Sequence, residues 1–196
     1  MSRTTHLLYL HGFRSSPRSA KAQIMARRVA GEHPAVHWWA PQLPPSPREA
    51  MEGIMAGIRD WPRETMAVVG SSLGGFYATH AGPAPGCRAV LLNPAVPPAR
   101  DLARYIGDQT QWHAPEEHFY FKAEYIDELK ALETGRLPHP ERCLAIVAKG
   151  DEVLDWTEMV ARYPASRIKL LEGGDHALSD FEVAHLRDVL DFLQLV

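Results

Sequence analysis

A serine hydroxyl becomes a useful nucleophile only when a base takes its proton and a third group orients that base. This sequence offers candidates for all three roles. Ser72 stands in Gly70-Ser71-Ser72-Leu73-Gly74, with glycine two residues before and two after it, whereas Ser71 has Val69 and Leu73 at those offsets. A G-x-S-x-G stretch between a strand and a helix makes a turn so tight that the flanking positions admit only small residues. An apolar run, Met66-Ala67-Val68-Val69, precedes it, and the helix-like Gly75-Phe76-Tyr77-Ala78-Thr79 follows. Chains built around this turn carry the acid and then the base later in the sequence. Asp151 follows the apolar run 144–148, and His176 lies in the glycine-rich Glu172-Gly173-Gly174-Asp175-His176. Glu152 and Asp155 are alternative acids, and Asp175 reads as a turn residue. His11 and His113 are the rival bases, and neither follows the last apolar run.

Acyl transfer also needs hydrogen-bond donors for the oxyanion of the tetrahedral intermediate. The N–H of Leu73, directly after the nucleophile, is one candidate. The second is the N–H of Phe13, in Leu10-His11-Gly12-Phe13-Arg14-Ser15-Ser16, where Gly12 permits a sharp backbone turn. His11 reads as a brace that hydrogen-bonds this loop, and with Trp112 and Phe119 it is also a candidate for contact with substrate. Arg14 reads as an exposed loop arginine, with an anionic substrate group as the alternative partner. No H-E-x-x-H, paired Cys/His spacing or G-x-G-x-x-G is present, and Gly70 to Gly75 lacks the lysine of a Walker loop. Neither a metal nor a cofactor is expected.

These residues need a scaffold, and the hydrophobic pattern predicts one. Strand-length apolar runs at 6–10, 36–40, 66–70, 88–92, 144–148 and 167–171 alternate with helix-like segments at 18–31, 46–61, 73–81, 156–163 and 180–195. That alternation predicts an α/β protein with a parallel sheet whose faces are both covered by helices. Ser46-Pro47-Arg48-Glu49 is a helix start with its cap, its first-turn proline and its acid. The sequence separating the fourth and fifth strands, 93–142, is far longer than a crossover needs and rich in aromatic residues. Within it, 97–140 reads as a helical cap insertion, bounded by Pro97 and Pro98 and by Pro138 and Pro140. The whole of 1–196 reads as a single domain.

Bulk composition is consistent with this. The chain has 196 residues, 45% of them hydrophobic and 23% charged, with a formal charge of −3, which gives no electrostatic attraction to nucleic acid or an anionic membrane surface. No apolar run is long enough for a membrane span or an export signal, so the cytoplasm is the expected compartment. Cys87 and Cys143 each open a predicted strand; they are expected to be reduced, and close together if those strands are neighbours. No oligomeric state is assigned.

Taken together, Tyr9-Leu10-His11-Gly12-Phe13-Arg14-Ser15-Ser16-Pro17 with Lys21-Ala22, the Ser72 turn, Asn93-Pro94-Ala95, Gly150-Asp151-Glu152-Val153-Leu154-Asp155 and Gly173-Gly174-Asp175-His176 resemble the YqiA/YcfP-like small esterases of the α/β-hydrolase superfamily. The resemblance implies a compact six-stranded parallel sheet in the order 2-1-3-4-5-6. It also implies an esterase or thioesterase acting on acyl substrates, with Ser72 as nucleophile, Asp151 as acid and His176 as base. An acyltransferase, a C–C hydrolase or a lyase would use the same residues, and a non-catalytic binding protein would share only the fold.

Overall fold

The computed structural model describes residues 3–82, 87–133, 135, 137 and 139–195; Pro138, one expected boundary of the insertion, lies outside them. The chain runs β1 (His6–Leu10), α1 (Ala20–Glu32), β2 (His37–Trp39), α2 (Pro47–Gly57), β3 (Met66–Ser71), α3 (Leu73–Ala81) and β4 (Arg88–Leu92). It continues through α4 (Pro98–Leu102), β5 (Gly107–Gln111), β6 (Ala114–Phe121), α5 (Glu124–Ala131), β7 (Cys143–Ala148), α6 (Trp156–Arg162), β8 (Arg167–Leu171) and α7 (Leu186–Phe192). Six strands form one parallel sheet in the order β2-β1-β3-β4-β7-β8, as the resemblance implied.

Successive strand residues point to opposite faces, so each fully apolar strand feeds two cores. On one face Leu8, Val68, Leu91 and Val147 pack against α2, α3, α5 and α6 through Ile54, Phe76, Leu129 and Met159. On the other, Leu7, Val69, Val90 and Ile146 meet α1 and α7 through Met25, Val29, Leu186 and Val189. Helix α2 starts as its sequence signals: the Ser46 side chain accepts from the Glu49 N–H, with Pro47 in the first turn. The last helix is less regular than expected, since Phe181–His185 forms a π-turn before α7 begins.

Between β4 and β7, helices α4 and α5 flank an antiparallel hairpin, β5–β6, so the insertion expected to be helical also carries two strands. Aromatic packing fastens the hairpin to the loop after β1. The Phe13 ring sits 5.0 Å from Phe121 and 5.9 Å from Phe119, both edge-on. Pairs of this kind contribute about 0.5–1.5 kcal/mol each beyond the area they bury. The Ser46 hydroxyl donates to the Glu128 carboxylate at 2.7 Å, tying α5 to α2.

Cys87 and Cys143 are free, buried and on the same sheet face, where both line one small cavity of about 10 Å³. Burial pushes both thiols up to about 12, which leaves them un-ionised and poorly reactive. Among the described residues, no helix is long and apolar enough to cross a membrane.

Candidate active site

Ser72 sits between β3 and α3 with φ 54° and ψ −120°, a strained conformation for a residue with a side chain. The glycines beside it are required by contact. A Cβ on Gly74 would lie 2.0 Å from the Leu10 carbonyl oxygen, and one on Gly70 would lie 2.2 Å from that of Gly74. Hydrogen bonds hold the strained turn: the Ser72 N–H donates to Leu92 and the Ser72 carbonyl accepts from Gly75 and Ala95.

The three segments singled out in the sequence converge here. His176 Nδ1 lies 2.8 Å from Asp151 Oδ2, and its Nε2 lies 3.0 Å from Ser72 Oγ. The other Asp151 oxygen accepts from the N–H groups of Val153 and Leu154, both at 2.8 Å, which fixes the carboxylate plane. An ionised carboxylate only accepts, so the Asp151 contact places the imidazole proton on Nδ1. Nε2 then presents its lone pair to the serine hydroxyl. The Asp151 side chain is wholly buried and the imidazole about one-fifth exposed.

The rival residues have other roles. Asp155 caps α6, accepting from the Thr157 N–H, and Asp175 accepts from Ser179, as a turn residue does. Glu152 accepts from the His176 backbone N–H at 2.9 Å and so fixes the loop without meeting the ring. His113 is exposed.

Two supporting residues escaped the sequence reading, which quoted them only within motifs. The fully buried Asn93, at φ 41°, donates to the carbonyls of Asp175 and His176 and accepts from the Ala148 N–H, lacing the histidine loop to the end of β7. An asparagine directly after a strand was the available signal, since Asn tolerates positive φ. Lys21, on α1, donates through Nζ to the Ala177 carbonyl. Burial brings its ammonium down to about 8, opposed by the charges of Asp175 and Asp151.

The loop after β1 lies against the serine: a Cβ on Gly12 would sit 3.7 Å from Ser72 Oγ. Leu73, the first residue of α3, has an N–H without an intrahelical acceptor. The His11 ring accepts at Nε2 from the Leu43 N–H at 3.0 Å, so Nδ1 carries the proton and donates to the Gly12 carbonyl at 2.9 Å. Arg14, expected to be exposed, is instead a half-buried clamp at φ 57°. Its guanidinium donates to the carbonyl and hydroxyl of Thr110 and stacks 4.2 Å from the Trp112 ring centre. A cavity of about 200 Å³ opens beside this loop, lined by Phe13, Leu43, Leu73 and Tyr77 as well as by His11 and Phe119. Trp112, expected with them, is not part of that wall: it is 63% exposed and faces Arg14.

His11 gives a stability prediction. Burial lowers its imidazole from 6.5 to about 4, against the opposing pull of the Gly12 carbonyl. Below pH 6.5 the unfolded chain therefore binds a proton that the folded chain refuses. Stability conferred by the neutral ring is full above pH 6.5 and is lost progressively as pH falls towards 4. The loss is about 3 kcal/mol. Urea unfolding at pH 7 and pH 4.5 should show His11→Gln losing less stability on acidification than wild type; equal losses would refute this role.

Among the described residues, no group of three or more His, Cys, Asp or Glu side chains is arranged to hold a metal ion.

Comparison with known proteins places this geometry in context. Chains of the same fold include mouse alpha/beta hydrolase domain-containing protein 10 (TM-score 0.74, 15% identity, 98% of this chain and 90% of that one). They also include Est1E from Butyrivibrio proteoclasticus, solved with ferulic acid bound (TM-score 0.65, 14% identity, 98% and 88%). The fold is that of the α/β-hydrolases. A UPF0227 protein of Vibrio parahaemolyticus is 24% identical over 153 residues, covering 78% of this chain and 79% of the relative. One from Serratia proteamaculans is 25% identical over 151 residues, covering 76% and 77%. The sequence model described as "Uncharacterised protein family (UPF0227)" matches residues 6–194, and the chain belongs to that family.

Proposed function

We propose that this protein is a serine hydrolase that cleaves carboxylic esters or thioesters of small acyl substrates through an acyl-serine intermediate. The observation that carries the reading is His176 hydrogen-bonded at once to Asp151 and to Ser72, at 2.8 and 3.0 Å. Ser72 Oγ attacks the carbonyl carbon while His176 Nε2 takes its proton, and Asp151 stabilises the imidazolium that forms. The N–H groups of Phe13 and Leu73 receive the oxyanion. When the intermediate collapses, the carbonyl–heteroatom bond breaks and His176 returns the proton to the departing alcohol or thiol. Water, deprotonated by the same histidine, then releases the acid and regenerates the serine.

The whole chain is read as one catalytic domain in which 97–140 forms a cap over the substrate, and the two free thiols accord with a cytoplasmic setting. The cavity, at about 200 Å³, falls below the roughly 300–1,000 Å³ common for ligand pockets. A series of p-nitrophenyl esters and matching thioesters should therefore show kcat/KM highest for short acyl chains and declining for long ones. Absence of turnover across the series, with folded protein, would overturn the reading.

A further inference from the structure

On the ester-hydrolase reading, the acyl half of the substrate would lie in the cavity. His176 must hand its proton to the leaving group, so that group departs on the histidine side. The cavity wall is drawn from the loop after β1, residues 42–45, α3 and the β5–β6 hairpin, and contains no residue of the acid or histidine loops.

Three polar side chains in that wall, Ser15, Tyr77 and Gln111, make no side-chain hydrogen bond among the described residues, and of these only Gln111 has a polar atom closed to solvent. His11 is bonded to Gly12 and Leu43, Arg14 to Thr110, and Gln42 to the carbonyls of Ser15 and Leu43. The Gln111 carboxamide has no hydrogen-bond partner among the described residues, and its Oε1 is shut off from solvent. A half-turn about χ3 breaks no hydrogen bond, so either its oxygen or its NH2 can face the cavity.

The surrounding hairpin fixes where this side chain stands. Pairing between β5 and β6 slips between Thr110 and Gln111, so that Gln111 lies opposite Ala114. Slips of this kind re-aim side chains beside functional sites. Arg14 grips both flanking residues: its guanidinium holds Thr110, and its carbonyl accepts from the Trp112 N–H at 2.8 Å. The same Arg14 follows Phe13, whose N–H is the proposed oxyanion donor. Gln111 is thus held in the cavity wall beside the loop that carries Phe13, which on that reading is the acyl side.

We infer that Gln111 selects acyl groups carrying a hydroxyl or amide, which hydrogen-bond the carboxamide that an unsubstituted alkyl chain would leave bare. This rests on the ester-hydrolase reading and names the acyl class it would act upon. A buried polar group left unpaired by the wrong substrate discriminates far more strongly than a missing methylene.

The test compares p-nitrophenyl butyrate with the 3-hydroxybutyrate and N-acetylglycine esters, each rate divided by that of hydroxide-catalysed hydrolysis. Wild-type kcat/KM should favour at least one substituted ester by about tenfold or more, and the two separate hydroxyl from amide preference. In Gln111→Leu, and in Gln111→Met as a second replacement, that ratio should collapse towards one. A wild-type ratio near one, or a preference surviving both replacements, overturns the inference. Calorimetric binding of 3-hydroxybutyramide, N-acetylglycinamide and butyramide to Ser72→Ala protein separates the two claims. Absence of ester turnover with tighter binding of a substituted amide, lost on Gln111→Leu, rejects the hydrolase reading and retains the Gln111 assignment. Equal binding of all three amides rejects the assignment.

Discussion

Ser72→Ala is expected to lower kcat/KM for ester hydrolysis by about 10⁴- to 10⁶-fold. The variant loses the only atom that forms the covalent intermediate. What remains is substrate binding and two backbone donors, which accelerate attack by water only weakly. The fold should survive, because the Ser72 hydrogen bonds that brace the turn are made by its backbone, and among the described residues the hydroxyl hydrogen-bonds only His176. Alanine suffers the same left-handed strain at φ 54° as serine. A melting temperature near that of wild type, together with near-complete loss of turnover, is the expected pair of results. Retained turnover would remove Ser72 from the mechanism.

Asp151→Asn should cost about 10⁴-fold in kcat while leaving the backbone in place. One carboxylate oxygen accepts from Val153 and Leu154, and the other from His176. An asparagine that keeps its oxygen on the two backbone N–H groups turns its NH2 towards His176 Nδ1. The ring then carries its proton on Nε2 and presents a donor, in place of a lone pair, to the serine. The base is lost through the wrong tautomer, with hardly an atom displaced. Asp155→Asn is the matched control: that carboxylate caps α6, and its replacement should leave turnover intact. Equal kcat values for Asp151→Asn and wild type would show that Asp151 does not orient the base.

Much of this arrangement could be read in the residues because its constraints are local. The Ser72 turn is written in the glycines at 70 and 74, which meet backbone at 2.2 and 2.0 Å and so admit nothing larger. Asp151 follows the fully apolar β7, His176 follows β8, which carries Arg167 and Lys169, and glycines mark the end of each strand; a parallel sheet gathers such ends on one edge. The hairpin was not readable for the opposite reason. Gly107-Asp108-Gln109-Thr110-Gln111 has no apolar alternation, and β6 begins Ala-Pro-Glu-Glu. Arg14 clamps this hairpin from a distant loop, and a contact across ninety-six positions leaves no periodic trace. The same clamp explains the placement of Trp112: an aromatic side chain in an insertion suggests a pocket wall, yet this one stacks on a guanidinium at the surface. Asn93 and Lys21 were missed because each acts on main-chain carbonyls of the histidine loop, contacts that depend on tertiary placement alone.

Labelling with a fluorophosphonate, followed by peptide mapping, tests the convergence of these three segments most directly. The reagent phosphonylates an activated serine by displacing fluoride, so it reports the hydroxyl and its base together. The account predicts a single adduct on Ser72, with labelling slowed about 10³-fold or more in His176→Ala. An adduct on another residue, or labelling of Ser72 at an unchanged rate without the imidazole, would contradict it.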